Sequence, residues 1–383
     1  MLINELPDDC LLTIFDYLNN LDDLINCYKV CIKWSYLIAK RTKKVKYLME
    51  CPIYASDYVF YEGLDLIDET TLSTLFPNII VFENSNGDDK TFFSKCMKAK
   101  DAEKVGSFVR NHESLKGIIN FLDVPIEKYC DKLEMLSTHH IEPDILQNGS
   151  NMRQLYIGNV TLDDFKRVAH YFPNLEKLRI RDEGVHHFNK GPVFEKLKIA
   201  ELDLSSPDEI CYAFQFMDSC PNLQSAHIYT KDHRFFVDGN SKLECLQDLV
   251  LSYIGPSRID WNDLKRLFME YPNLKHLRLD RLWMYDEHIE QLVHILPELV
   301  LLHIHDSPRV TQRAADYVEN YCKRYGRSIK FYFNDDDDYN QVASEWPQLS
   351  TEDEEFSLGF DFMKHCFLKY FDALPYFLIP IDY

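Results

Sequence analysis

The stretch Leu274-Lys-His-Leu277-Arg-Leu279 decides the fold, because near copies of it recur along the chain. Upstream stand Met152-Arg-Gln-Leu155-Tyr-Ile157, Leu175-Glu-Lys-Leu178-Arg-Ile180, Ile199-Ala-Glu-Leu202-Asp-Leu204, Leu223-Gln-Ser-Ala226-His-Ile228 and Leu246-Gln-Asp-Leu249-Val-Leu251. Downstream come Leu299-Val-Leu-Leu302-His-Ile304 and a degenerate last copy, Ile329-Lys-Phe331-Tyr-Phe333. With the central apolar residue as the mark, successive copies from Leu155 to Leu302 lie 23, 24, 24, 23, 28 and 25 residues apart. Within each copy, alternation of apolar and polar residues is the period of a strand with one buried face.

That spacing fits the roughly 20–29 residues of a leucine-rich repeat, whose unit is one strand and one helix. Such a unit cannot bury its apolar face alone, so neighbours must stack. The intervening segments read as the helices: Thr161 to Tyr171, Asp260 to Tyr271, Tyr285 to Leu296 and Thr311 to Tyr325. Several end in a shared junction, Phe172-Pro173-Asn174, Cys220-Pro221-Asn222, Tyr271-Pro272-Asn273 and Leu296-Pro297-Glu298. Proline there stops the helix and turns the chain into the next strand. The junction resembles the long-repeat class of F-box/leucine-rich-repeat proteins. The pattern is regular from about 150. Before that, Pro77 to Phe82 and Leu133 to Leu136 look like repeats, and the polar stretch Asn84 to Ser107 interrupts them.

The N-terminus carries a different pattern, Leu6-Pro7-Asp8-Asp9-Cys10-Leu11-Leu12-Thr13-Ile14-Phe15-Asp16-Tyr17-Leu18, followed by Leu24, Val30, Cys31 and Trp34. Pro7 suits a first helical turn, and Asp8 and Asp9 suit the positive helix end. Leu11, Ile14, Phe15 and Leu18 recur at the spacing of one helical face. Asn19-Asn20 ends that helix, and Asp22 or Asp23 is the expected cap of the next. Three short helices in about forty residues bury too little surface to stand alone, so part of their apolar face needs covering.

This stretch resembles an F-box. The resemblance implies a docking element for an SKP-family adaptor, with a cullin–RING scaffold engaged indirectly. It implies that Leu6, Pro7, Leu11, Ile14, Phe15, Val30, Cys31 and Trp34 form or support the adaptor-binding face. Cys10 departs from the pattern, where a larger aliphatic residue is usual. A helical cap sealing a larger domain is the competing reading.

Composition agrees with an adaptor. A formal charge of -20 argues against general nucleic-acid binding, which needs a basic surface. No stretch reaches the roughly 18 apolar residues of a membrane span, and no signal-peptide pattern opens the chain. The eleven cysteines form no Cys-x-x-Cys pairs and read as reduced, so cytoplasm or nucleus is expected. The basic run Lys40 to Lys46 is expected to be the solvated end of a helix.

An enzyme reading finds no phosphate loop, no nucleophile elbow and no His-Glu-x-x-His. His303 and His305 sit two apart on one strand, and His139-His140 and His186-His187 are adjacent pairs, without spacing that nominates further metal ligands. They are expected to be ordinary surface histidines. Cys220 and Cys31 sit in apolar patterns and do not look like exposed nucleophiles. The expectation is no catalysis, no metal and no cofactor.

The C-terminus changes character twice. Residues 334–355 hold nine acids and no Lys or Arg, the pattern of a solvated linker. Beyond lie Phe356, Phe360, Phe362, Phe367, Tyr370, Phe371, Tyr376, Phe377 and Tyr383, too many large apolar groups to remain in water. The expected arrangement is a cap on the last repeat. The alternative is a tail folded back along the concave face, as in some family members.

In sum of these readings, the expected fold is an α/β leucine-rich-repeat solenoid, a horseshoe with parallel strands inside and helices outside, preceded by a small all-α F-box. The expected boundaries are 1–42 F-box, 43–75 helical or linker, 76–335 solenoid, 336–355 acidic linker and 356–383 tail or cap. Residues between the apolar strand positions should face the concave surface. Lys177, Arg179, Arg181, His227, His276, Arg278, His303 and His305 are therefore the candidate substrate-binding residues. Their two basic spots suit carboxylate or phosphate groups. They are expected to pair with Glu201, Asp203, Asp280 or the acidic tail. The expected function is the substrate-recognition subunit of an SKP–cullin–F-box ubiquitin ligase, holding a protein substrate. The alternative is a binding scaffold that acts without ubiquitylation.

Overall fold

The structure of the chain is a computed structural model. It describes residues 3–50, 55–61, 69–84, 106–121, 128, 131–139, 141, 148–182, 184, 191–236, 242–257, 260–333, 336–350 and 354–383. Two compact units result, Met1–Met152 and Arg153–Tyr383. His140, the His186-His187 pair and most of the stretch from Asn84 to Ser107 lie outside the described residues.

The first unit opens with helices α1 (Asp8–Asp16), α2 (Leu21–Tyr28) and α3 (Ile32–Thr42). Pro7 occupies the N-cap position of α1, one residue earlier than a first-turn proline. The cap of α2 is Asn20, whose side chain accepts from the N–H groups of Asp22 and Asp23 at 2.9 and 3.2 Å. This corrects the expected Asp cap. Both aspartates instead sit in the first turn, where negative charge suits the helix dipole. Leu11, Phe15, Leu21, Leu24, Leu37 and Ile38 are buried. Trp34 meets Phe15 edge-on, with ring centroids 5.1 Å apart.

The basic run is not uniformly solvated, contrary to expectation. Arg41 is fully buried and donates to Phe15 O at 3.3 Å and Asn19 Oδ1 at 3.1 Å. Its Nε lies 3.5 Å from Asp16, which also takes Lys44 at 3.0 Å. The end of α1 presents backbone carbonyls that need donors, and Arg41 supplies one.

Five parallel strands follow: β1 (Tyr47–Met49), β2 (Tyr58–Phe60), β3 (Val81–Asn84), β4 (Gly117–Asn120) and β5 (Met135–Thr138). Their order is β5-β4-β3-β1-β2, and α4 (Glu69–Leu75) lies between β2 and β3 in sequence. Residues 43–75 were expected to be helical or linker. They supply two strands of three residues, too short to show a period. Repeats at Pro77 to Phe82 and Leu133 to Leu136 do carry β3 and β5. Strand β4 has no Leu-x-x-Leu. A Cβ on Gly117 would stand 3.1–3.3 Å from Met135 and Val81, so glycine lets the three strands close up.

The second unit contains β6 (Gln154–Gly158), β7 (Lys177–Asp182), β8 (Ile199–Leu204), β9 (Ser225–Thr230), β10 (Asp248–Ser257), β11 (His276–Leu282), β12 (Leu301–His305) and β13 (Lys330–Phe333). They run parallel in sequence order. The connecting helices are α5 (Leu162–Val168), α6 (Ala213–Met217), α7 (Trp261–Phe268), α8 (Asp286–Ile295) and α9 (Gln312–Tyr325). Thr161, Asp260 and Thr311 cap their helices with side-chain acceptors. Gly326 ends α9 at φ 66°, the left-handed cap that glycine adopts without steric penalty.

One repeat is framed differently from the sequence expectation. Leu178 pairs with Ala200, and Ala200 with Ala226, so Leu202 stands beside Ile180 and Ile228. The shift is two residues. A strand's side chains repeat every two residues, so Glu201 and Asp203 keep the face assigned to them.

After β13 the chain forms α10 (Asp336–Glu345), β14 (Phe356–Leu358), α11 (Phe362–His365) and β15 (Phe377–Ile379). The expected acidic linker is thus helical over its first half. Strands β14 and β15 make a separate two-stranded parallel sheet. The aromatic tail does not cap the last repeat. It lies along the face expected to be concave, packing Phe362, Phe367, Leu368, Phe371, Leu374 and Leu378 against Ile199, Val250, Leu301 and Tyr332. The physical reason is the match between a row of buried donors on that face and the tail's backbone carbonyls.

Candidate binding surfaces

On the helical part of the first unit, the eight residues expected to meet an adaptor divide. Leu11 and Phe15 are buried in the unit's own core, the place of residues that support a face. Trp34 and Cys31 are half-buried, as is Leu6, while Pro7 is exposed. Ile14 is 40% exposed and Val30 56%. The sequence reading missed Ile32, 91% exposed, and Tyr36, 67% exposed, together with Ile3 and Tyr17. Helix α3 carries two apolar stripes. Leu37 and Ile38 turn inward, while Ile32 and Tyr36, spaced i and i+4, are left bare. A helix with one apolar stripe more than its own core uses is the signal that marks the surplus pair.

In the second unit the strands bring most of the candidate substrate residues together, but beneath the tail. Lys177 Nζ donates to Glu201 Oε2 at 2.9 Å, to Pro375 O at 3.2 Å and to Tyr376 O at 3.3 Å. Arg179 donates to Leu374 O at 2.9 Å and Phe371 O at 2.6 Å, with its guanidinium over the rings of Tyr156 and Phe371. Arg278 donates to Asp280 at 2.9 Å and to Phe367 O and Lys369 O at 3.1 and 3.4 Å. Arg181 pairs with Asp203 at 3.0 Å and with Asp372 of the tail at 2.6 Å. The expected partners Glu201, Asp203 and Asp280 are therefore engaged. The tail contribution comes from its aromatic part and not from the acidic run.

His303 is not the ordinary surface histidine expected. His227 and His303 are fully buried, and among the described residues neither ring nitrogen of either has a hydrogen-bond partner. Burial, reinforced by the Arg278 charge, pushes both imidazoles down to about 3. His276 bonds Asp248 at 2.6 Å and packs against Trp346 and Phe367. His305 is half-buried near Tyr370. The tail itself leaves Leu358, Tyr370 and Asp372 exposed.

Among the described residues no group of three His, Cys, Asp or Glu side chains is placed to hold a metal ion. Burial pushes the Cys220 and Cys366 thiols up, away from thiolate character. No described helix is long and apolar enough to cross a membrane.

Residues 3–42 match the F-box-like family. No curated protein matches the chain. Among solved structures, a TLR13–ssRNA13 complex is similar over 76% of this chain at 15% identity and a TM-score of 0.43, and this chain spans 36% of the TLR13 chain's length. The yeast Rad7–Elc1 complex is similar over 80% of this chain and 90% of the matched chain, at 15% identity and a TM-score of 0.35.

Proposed function

We propose that the chain is a substrate receptor of an SKP–cullin–F-box ubiquitin ligase, in the cytoplasm or nucleus, without catalysis of its own. The observation that carries this reading is the set of apolar side chains that α1 to α3 leave bare, within the residues that match the F-box-like family. Ile14, Val30, Ile32 and Tyr36, with Leu6 and Pro7 beside them, supply apolar surface for an SKP-type adaptor. Leu11, Phe15 and Trp34 hold the helices in position behind them. The second unit, with its tail in place, holds a protein substrate. With Lys177, Arg179 and Arg278 committed to the tail, substrate meets the outward residues Leu358, Tyr370 and Asp372 and the neighbouring Arg181. The contribution is proximity, delivered without acid–base chemistry.

The test is a pull-down of the full chain carrying Val30→Asp and Ile32→Asp. Both side chains are exposed, so the melting curve should stay unchanged while the adaptor, and the cullin with it, disappear from the eluate. An adaptor that still binds overturns the docking assignment. Recovery of the adaptor but no cullin with the unaltered chain favours the scaffold that acts without ubiquitylation.

A further inference from the structure

His227, Arg278 and His303 lie in one row across β9, β11 and β12, since β9 and β11 both flank β10 and Arg278 is in register with His303. The tail segment from Phe367 to Phe371 crosses that row. Arg278 holds its backbone at Phe367 O and Lys369 O, and Phe371 meets the His227 ring edge-on at 5.6 Å. Both imidazoles are buried, and among the described residues their four ring nitrogens make no hydrogen bond. We propose that these two histidines form a proton-operated latch, in which protonating either one drives the tail off the sheet and uncovers the donors beneath it.

Among the described residues, the surroundings offer an imidazolium no counter-charge that is not already engaged. From β11, Asp280 is bonded by Arg278 and by Ser252 of β10 at 2.8 Å. From β8, Glu201 is bonded by Lys177 of β7. Arg179 of β7 and Arg278 add positive charge, and on β12 His305 stands 4.0 Å from Asp280. From the tail, Lys369 is buried, with Glu354 at 3.8 Å. An added proton therefore enters a dry site that already holds two guanidinium groups, where burying an unpaired charge is costly.

The direction follows from linkage. In the closed state both rings are held neutral to about pH 3, while an exposed histidine titrates near 6.5. The open state binds more protons, so closure is fully supported above about 6.5 and is lost as pH falls below it. Between about pH 7.5 and about pH 5 the open population should rise roughly 30-fold per histidine, about 900-fold for both. The device stands on the second unit alone and does not depend on adaptor docking.

Amide hydrogen exchange on the full chain tests it, with protection of residues 367–379 corrected for the intrinsic pH dependence. Protection should fall by about 900-fold across that pH range. The variants His227→Phe and His303→Phe should each reduce the fall to about 30-fold, and together should abolish it. Should these variants not fold, exchange at the imidazole C2–H of the unaltered chain reads the same quantity by mass spectrometry. Titration of both rings near 6.5 while the tail amides stay protected would overturn the latch.

Discussion

Gln154 and Leu378, 224 positions apart, exchange two hydrogen bonds: Gln154 Nε2 donates to Leu378 O at 2.7 Å, and Leu378 N–H donates to Gln154 Oε1 at 2.8 Å. A side-chain amide thus plays the part of a neighbouring strand for the tail. Both groups are buried. Gln154→Ala leaves a buried N–H and a buried C=O without partners, each worth about 1–3 kcal/mol. The expected loss is roughly 2–6 kcal/mol of unfolding free energy in a urea titration. A change below about 0.5 kcal/mol would show that the pair is not made in solution.

A second expectation separates structure from docking in the N-terminal helices. Phe15 is buried against Trp34, so Phe15→Ala should cost about 3–5 kcal/mol and melt the helices with loss of any adaptor binding. Ile14 is one residue earlier and exposed, so Ile14→Ala should leave melting within about 0.5 kcal/mol. Equal effects of the two on stability would contradict this division.

How much of this was legible can be seen residue by residue. The period of the strands, the capping threonines and Asp260 were all present as local patterns, and the structure uses them. The tail's position was not, because it depends on contacts such as Arg179 with Phe371 and Leu374, nearly two hundred residues apart. A row of basic side chains reads the same whether it awaits a partner or already has one. Leu11 and Ile14 likewise share one apolar stripe in sequence, and only the packing of α1 on α3 decides which is covered. The two-residue shift at Ala200 left no trace in the face assignment, because the strand period hides it.

Acid should act locally at the last repeat as well. Glu345 accepts from Lys330 at 2.9 Å and Tyr332 at 2.8 Å, and these bonds, with Gln341, pull its carboxyl down to about 2. A carboxylate depressed in the fold contributes stability above its unfolded value near 4.5 and loses it as pH falls toward about 2. Helix α10 should therefore loosen from β13 in that window. Trp346 follows Glu345 directly, and its fluorescence should report the change. Glu345→Gln should shift the transition out of the window, and an unshifted curve would remove Glu345 as its cause.

Deletion of residues 356–383 tests the placement of the tail as a whole. The segment buries Phe356, Phe362, Phe367, Leu368, Phe371, Leu374, Phe377, Leu378 and Ile379. Its removal also takes the carbonyl acceptors away from Lys177, Arg179 and Arg278, and bares Val250 and Leu301. A tail that merely rested on the surface would leave melting intact. A tail integral to the core should lower the midpoint by well over about 5 °C and promote aggregation through the uncovered apolar face. A cap on the terminal repeat would also destabilise, but by exposing Ile329, Phe331 and Phe333. Protease mapping of the intact chain separates the two: with the tail on the sheet, the backbone from Phe356 to Ile379 should resist cleavage under neutral conditions. A soluble truncated protein with an unchanged melting curve would sink the placement, and with it the latch at His227 and His303.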